Sequence, residues 1–288
     1  MIYQRIESSC PNHSFIHSFT YPIIHMNLEK ICNQVIPIVE QSGRFIRQEL
    51  GRVSGEDIEE KGLNSLVSYV DKTAEEQLVE GLGQVLPGSV FLTEEDTVDN
   101  QSGDLQWIID PLDGTTNFLF QLPVFSISVA LQREEQTVLG LVYEINRQEC
   151  FYAWQGGGAR LNGRPIRVSR RAPLEQSLLA TGFPYHDYSR MQAYFQVFEH
   201  FMRHTRGIRR FGSAAVDLAY VACGRFDGFF EYGLNPWDVA GGGFIVREAG
   251  GMVCDFRGGE EYLDGGEIIA ANPPVGKEML EVIKRAFG

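Results

Sequence analysis

The chain has 288 residues, 43% of them hydrophobic and 22% charged, with a formal net charge of -13. That composition fits a folded globule with a sizeable core, and the acidic balance speaks against a nucleic-acid backbone or an anionic membrane as the main partner, because both need a basic face. No stretch is long and apolar enough for a membrane span, and the five cysteines show no C-x-x-C spacing, so a reducing cytoplasm is the expected location.

From the N-terminus, residues 1–25 carry Phe15, Ile16, Phe19, Ile23 and Ile24 in a stretch broken by His, Ser and Pro, a poor signal peptide. They are expected to be an extension ahead of a folded domain over 26–288. Leu28, Ile31, Cys32, Val35, Ile38, Val39, Phe45 and Ile46 predict a helix up to about Leu50. Ala74, Leu78, Leu82 and Val85 predict a second, from Lys72 to Leu86, stopped by Pro87-Gly88. Strands are predicted at 107–109, 125–132, 138–145 and 149–154, joined by turns at Glu134-Glu135-Gln136 and Asn146-Arg147-Gln148. Gly156-Gly157-Gly158 reads as a turn and not a dinucleotide loop, since no G-x-G-x-x-G joins strand to helix there. After Ala172-Pro173 come a strand at 177–181, a helix from Met191 to His204, a strand at 207–211, a helix from Ala214 to Cys223 and a strand at 226–231. A helix from Val239 to Ala249 and strands at 252–253 and 268–270 complete the pattern. An α+β half over about 26–170 and an α/β half over about 171–288 are expected to face one another across a cleft.

The run Trp107-Ile108-Ile109-Asp110-Pro111-Leu112-Asp113-Gly114-Thr115 places two carboxylates three residues apart at the end of an apolar strand, with a glycine turn behind them. Magnesium takes hard oxygen ligands, keeps several waters, and is usually held by a few carboxylates while substrate phosphate completes its shell. Asp110 and Asp113 are therefore candidate ligands. Pro111 stiffens the link between them, and Gly114 lets the amides of Gly114 and Thr115 approach a phosphate. Asp-Gly alone is ordinary turn punctuation; the company it keeps argues for more. Phe91-Leu92-Thr93-Glu94-Glu95 adds an acidic pair, Glu94 as a candidate ligand and Glu95 as an outer group. Asp71, ahead of Lys72, and Asp238, after Pro236-Trp237, both read locally as helix N-caps. His200 and His204 lie one helical turn apart but lack the glutamate of a zinc-protease motif.

The Asp110 run, the Glu94-Glu95 pair, Gly212-Ser213-Ala214-Ala215 and Asn235-Pro236-Trp237-Asp238-Val239-Ala240-Gly241-Gly242 together, in this order, resemble the inositol monophosphatase family. The resemblance runs from about Met26 to the C-terminus. It implies a layered αβαβα sandwich of the sugar phosphatase type, and magnesium-dependent, lithium-sensitive hydrolysis of phosphate monoesters, with a homodimer as the family habit. By the same resemblance, Glu94, Asp110, Asp113, Asp238 and the Leu112 carbonyl hold two or three Mg2+ ions. Asp71 and Thr115, with Glu94, serve the attacking water. Asp113, Gly114, Thr115, Gly212, Ser213, Ala214, Glu231 and Asp238 line the place of a small phosphorylated polyol or sugar, with myo-inositol 1-phosphate leading. Residue by residue, the plainer readings are that Ser213 caps the helix from Ala214 and that Glu231 ends a strand.

Lys61 stands a short way upstream of Asp71, where it could neutralise the acidic pocket. The segment Phe183-Pro184-Tyr185-His186-Asp187 departs from familiar members and leaves histidinol phosphate, fructose 1,6-bisphosphate and adenosine 3',5'-bisphosphate open as substrates. No cysteine, histidine or Asp-x-Asp motif is placed to form a phosphoenzyme. A regulatory or binding protein that keeps the fold, contacting transcription machinery as some bacterial relatives do, is the alternative of another class. Loss of a ligand would be its signature, and none of the expected ligands is missing.

Overall fold

The computed structural model describes residues 26–62, 65–185 and 187–288, with the side chains of 60–62 and 65 also left out. The expectations for residues 1–25, for the Lys61 side chain and for His186 lie outside the described residues.

Two helices, α1 (Leu28–Glu49) and α2 (Tyr69–Val85), bracket a small hairpin of β1 (Ile58–Gly62) and β2 (Ser65–Ser68). Each buries one stripe at a spacing of three and four: Val35, Val39 and Ile46 from α1, Ala74, Leu78 and Leu82 from α2. Next come β3 (Val90–Thr93), β4 (Leu105–Asp113), the short α3 (Thr115–Leu119), β5 (Ser126–Arg133), β6 (Gln136–Glu144), β7 (Glu149–Trp154), β8 (Gly158–Leu161) and β9 (Arg164–Pro165). These strands form a seven-stranded sheet in sequential order, parallel only between β3 and β4. There follow β10 (Leu178–Thr181), α4 (Met191–His204), β11 (Gly207–Arg209), α5 (Ala214–Ala222), β12 (Gly228–Tyr232), α6 (Pro236–Glu248), β13 (Met252–Cys254), β14 (Glu267–Ala271) and α7 (Pro273–Phe287). Their five strands are ordered β11-β10-β12-β14-β13, with β10 parallel to both neighbours and β14 antiparallel to both of its own.

Helices α1 and α2 cover one face of the first sheet, α5 and α6 lie between the sheets, and α4 and α7 cover the far face of the second. The layering is αβαβα, as expected. Covering on both sides explains why β5 and β6 are buried at almost every position instead of alternating. Helix α6 lies against the first sheet through its backbone. A Cβ on Gly140 of β6 would fall 2.5 Å from the carbonyl oxygen of Gly241, and one on Gly241 would fall 3.0 Å from that of Val129.

Several boundaries differ from expectation, those of β4 and β12 among them. Helix α2 begins at Tyr69 and α6 at Pro236, each about one turn early, so neither Asp71 nor Asp238 is an N-cap. Strand β11 ends at Arg209, short of Phe211. The closing helix α7 was not foreseen, although Asn272 caps it and Pro273 opens it, the usual start signal.

Candidate active site

Asp110 and Asp113 both lie at the end of β4. Alternation would send residues three apart to opposite faces of a strand. Here Asp110 pairs with Ser128 and Asp113 with Ser126, so the Pro111-Leu112 step carries one residue more than its partner strand. This bulge turns Asp113 back toward the face of Asp110, and a proline without an N–H is at home in it. The Leu112 N–H donates to Asp110 Oδ1 at 2.9 Å, fixing that carboxylate.

Asp238 reaches the same place from α6. Asn235 is the N-cap and Asp238 the third helical residue, whose Oδ2 accepts the Asn235 N–H at 2.7 Å in a capping box. One oxygen of each of Asp110, Asp113 and Asp238 lies within 4.8 Å of the other two, the one such cluster among the described residues. Asp113 also ties the layers together, since its Oδ2 accepts the Ser213 hydroxyl at 2.6 Å and the Ala215 N–H at 2.7 Å at the start of α5. Ser213 is at once the cap of α5, as its own residue type suggested, and a partner of Asp113.

Asp71 repeats the arrangement of Asp238. It is the third residue of α2, and its Oδ2 accepts the N–H and hydroxyl of Ser68 at 2.9 and 2.8 Å. That leaves Oδ1 for Thr115, whose hydroxyl lies 3.0 Å away and 2.9 Å from the Leu112 carbonyl oxygen. Gly114 precedes Thr115 at φ 96°, a left-handed conformation that favours glycine.

Glu94 follows β3 and sits beside Asp110, outside the three-aspartate cluster. Its loop is held by a residue the sequence reading passed over: Glu75 of α2, fully buried, accepts the N–H of Glu95 at 2.8 Å and the N–H and hydroxyl of Thr97 at 2.8 and 2.7 Å. A glutamate one turn before Leu78 on the buried stripe was the available signal.

Burial and mutual repulsion define the electrostatics. Burial, then the charges of Glu94, Asp113 and Asp238, push the Asp110 carboxyl well above the usual range. Asp238 is pushed up to about 8, chiefly by burial and then by Asp113. Asp113 rises to about 6, its burial opposed by the hydrogen bonds from Ser213 and Ala215. Three carboxylates in this condition call for a cation.

With Asp110 buried behind them, Glu94, Asp113, Thr115 and Asp238 line a cavity of about 630 Å³ together with Gly212, Ala214, Glu231, Phe183 and Tyr185. Arg210 stands at its edge over the Phe183 and Tyr185 rings, 5.3 and 5.2 Å from their centroids. Arg210 and Asp217, both in the lining, were likewise not singled out from the sequence. His200 and His204 stack on α4 at 4.4 Å, with no third metal-binding side chain beside them among the described residues.

A model of the inositol monophosphatase family matches residues 27–286. The chain belongs to the inositol monophosphatase family. It is similar to a Haemophilus influenzae protein named Nus factor SuhB, 42% identical over 262 residues that make up 91% of this chain and 98% of that one. It is also similar to an inositol-1-monophosphatase of Mesorhizobium japonicum, 38% identical over 256 residues, or 88% and 96% of the two chains. Among solved structures, the extragenic suppressor protein suhB of Bartonella henselae shares the fold with a TM-score of 0.85 at 38% identity, covering 89% of this chain and 99% of that one. Inositol monophosphatases depend on magnesium, and the acidic cluster here offers the hard oxygen donors that such an ion takes. No described helix is long and apolar enough to cross a membrane.

Proposed function

We propose that the protein is a magnesium-dependent phosphomonoesterase acting on a polyol monophosphate such as myo-inositol 1-phosphate. The observation that carries this reading is the meeting of Asp110, Asp113 and Asp238 beside the Thr115–Asp71 pair, on a cavity whose wall includes Glu231. Glu94, Asp110, Asp113, Asp238 and the Leu112 carbonyl would hold the ions. When bound, magnesium supplies charge neutralisation for the phosphate and a lowered pKa for coordinated water.

The protein's own groups do the rest. The Thr115 hydroxyl donates its hydrogen bond to Asp71 Oδ1, so that its oxygen accepts one from the attacking water; as the water attacks, Thr115 takes its proton and passes its own to Asp71. The amides of Gly114 and Thr115, at the start of α3, have no partner inside that helix and would donate to the phosphate oxygens. Ser213, Gly212 and Ala214 close the phosphate end, and Glu231 accepts hydroxyls at the polyol end. The water oxygen bonds phosphorus as the phosphorus–ester oxygen bond breaks, and the leaving alkoxide takes a proton from solvent and departs as the alcohol.

Phosphate release from a panel of polyol, sugar and nucleotide monophosphates, with and without magnesium, tests the reading. Release from none of them in saturating magnesium would refute it; preference for histidinol phosphate or a bisphosphate would move the specificity. The same reading carries the expectation of a homodimer, for which light scattering is the check.

The names of several relatives favour a second reading, in which this chain too serves as a Nus factor. A net charge of -13 describes the average surface and does not speak against a protein partner. Replacement of a bacterium's SuhB by an Asp110→Asn variant tests it: service equal to that of the wild type would make the role independent of hydrolysis.

A further inference from the structure

Another recess lies on the α1 side of the first sheet, beside the turn from β6 to β7, and shares no lining residue with the active-site cavity. It measures about 490 Å³, a volume common among ligand sites. Ile36, Ile145, Cys150 and Tyr152 give its lining an apolar part, while Arg44 and Arg47, one turn apart on α1, are exposed at its rim. Exposed arginines are ordinary on a helix, but this pair has no hydrogen bond or ion pair among the described residues, not even with Glu40, one turn before Arg44. Tyr143 is an independent sign. It is 6% exposed, and its ring is seated so close to α1 that a Cβ on Gly43 would fall 2.5 Å from Cε1. A phenylalanine ring would fill that seat equally well. The hydroxyl is therefore surplus to packing; it lines the recess and meets no partner among the described residues, a costly condition for a group so nearly buried. Burial, and then Glu40, raises the phenol above its usual range, so at neutral pH it remains a donor.

We propose that this recess is a binding site for a small aromatic monocarboxylate, its carboxylate held by Arg44, Arg47 and the Tyr143 hydroxyl and its ring placed among Ile36, Ile145 and Tyr152. A guanidinium presents paired N–H donors that match the two oxygens of a carboxylate, and the phenol adds a further donor from a fixed ring. Two cations against the one carboxylate of Glu40 leave the rim with a single surplus positive charge, which suits a monoanion. A phosphate dianion would keep one charge uncompensated beside Glu40. The rings of Tyr143 and Tyr152 favour an aromatic body, which gains from edge or offset contact beyond its buried area. Neither magnesium nor the hydrolysis of a phosphate ester enters into this binding.

Calorimetry of the full chain with benzoate, phenylacetate, 3-phenylpropionate and indole-3-acetate, each with and without magnesium, tests the assignment. At least one should bind saturably, with the same affinity in both buffers. Its alcohol analogue should bind about tenfold more weakly or worse, the factor expected when a hydrogen bond to a charged group is lost. Arg44→Gln and Arg47→Gln should each weaken the carboxylate by about the same factor. Tyr143→Phe should weaken it several-fold yet melt no lower than wild type, because the hydroxyl has no partner in the fold to lose, and that contrast separates recognition from packing. Phenylphosphonate without magnesium at pH 8, where it is a dianion, should bind less tightly than the best carboxylate. The proposal is overturned by a lack of saturable binding of every carboxylate up to about 10 mM. It is overturned equally by undiminished binding after both arginines are replaced, or by a phosphonate that binds more tightly than the carboxylates.

Discussion

Glu75 is a buried carboxylate whose two oxygens hold the loop that begins with Glu94. In Glu75→Gln, the retained oxygen keeps the two bonds from Thr97, and the new NH2 is set against the Glu95 N–H. One hydrogen bond is lost and two change from charged to neutral. Bonds to charged groups contribute about 1.5–3 kcal/mol and neutral ones about 0.5–1.5, so the gross loss is about 5 kcal/mol. Removing a charge from the interior offsets part of it, leaving a net destabilisation of about 2–3 kcal/mol. For a chain of this length that lowers the melting temperature by about 5–10 °C. Because Glu94 is the neighbour of Glu95, the magnesium concentration for half-maximal phosphate release should rise several-fold as well. Scanning calorimetry and a magnesium titration of activity give the two readouts. A melting temperature within about 1 °C of wild type, with an unchanged half-saturation, would refute the idea that Glu75 positions this loop.

Asp110→Asn and Asp238→Asn should each lower phosphate release by about a thousandfold, since several kcal/mol of charge stabilisation go with each ligand; circular dichroism should show the fold retained. Thr115→Ala should reduce kcat by about 10²–10⁴-fold while magnesium binding by calorimetry changes little, and equal losses in both would place the hydroxyl in the metal shell instead. The raised carboxyls of Asp110, Asp113 and Asp238 make the folded, metal-free protein hold protons that the unfolded chain releases near pH 4, so its stability should fall as pH rises from about 4 toward about 8. Melting curves in chelator should follow that slope, magnesium should flatten it, and a metal-free melting temperature that climbs across the window would contradict it. Lithium should inhibit uncompetitively with substrate, and full activity in lithium well above the magnesium concentration would set this protein apart from sensitive members of its family.

Where structure is local, the sequence was informative. Met191–His204 and the turn at Asn146-Arg147-Gln148 stand as expected, and that at Glu134-Glu135-Gln136 does so except that Gln136 already begins β6, because periodicity and turn chemistry act over a few residues. The aspartates at the helix starts show how a local rule can mislead. Aspartate is a favoured N-cap, but Ser68-Tyr69-Val70-Asp71 and Asn235-Pro236-Trp237-Asp238 are capping boxes, in which the acid stands third and the true cap precedes it. That shift frees the second oxygen of Asp71 for Thr115. The bulge at Pro111-Leu112 had a hint in its proline, whereas the bond from Ala215 to Asp113 joins segments far apart in the chain and leaves no local mark. Glu75 and Asp217 were visible as acids at apolar positions of two helices. Their meaning depends on what faces them, which only the packed layers provide.

The contact between Gly140 and Gly241 makes the depth of α6 a matter of main chain resting on main chain. Side chains in a core can change rotamer or exchange with others of similar volume at small cost, so surfaces that meet through them have some give. Two backbones in touch have none. Asp238 rides one turn ahead of Gly241, and Asp110 and Asp113 ride on β4, the neighbour of the strand that carries Val129. The separation of the three carboxylates is thus gauged by the thickness of the polypeptide itself. Most of the surrounding interior can be rewritten without disturbing that gauge, and the sharpest limit on such drift is the absence of one methyl group in a helix, at a position with no chemistry of its own.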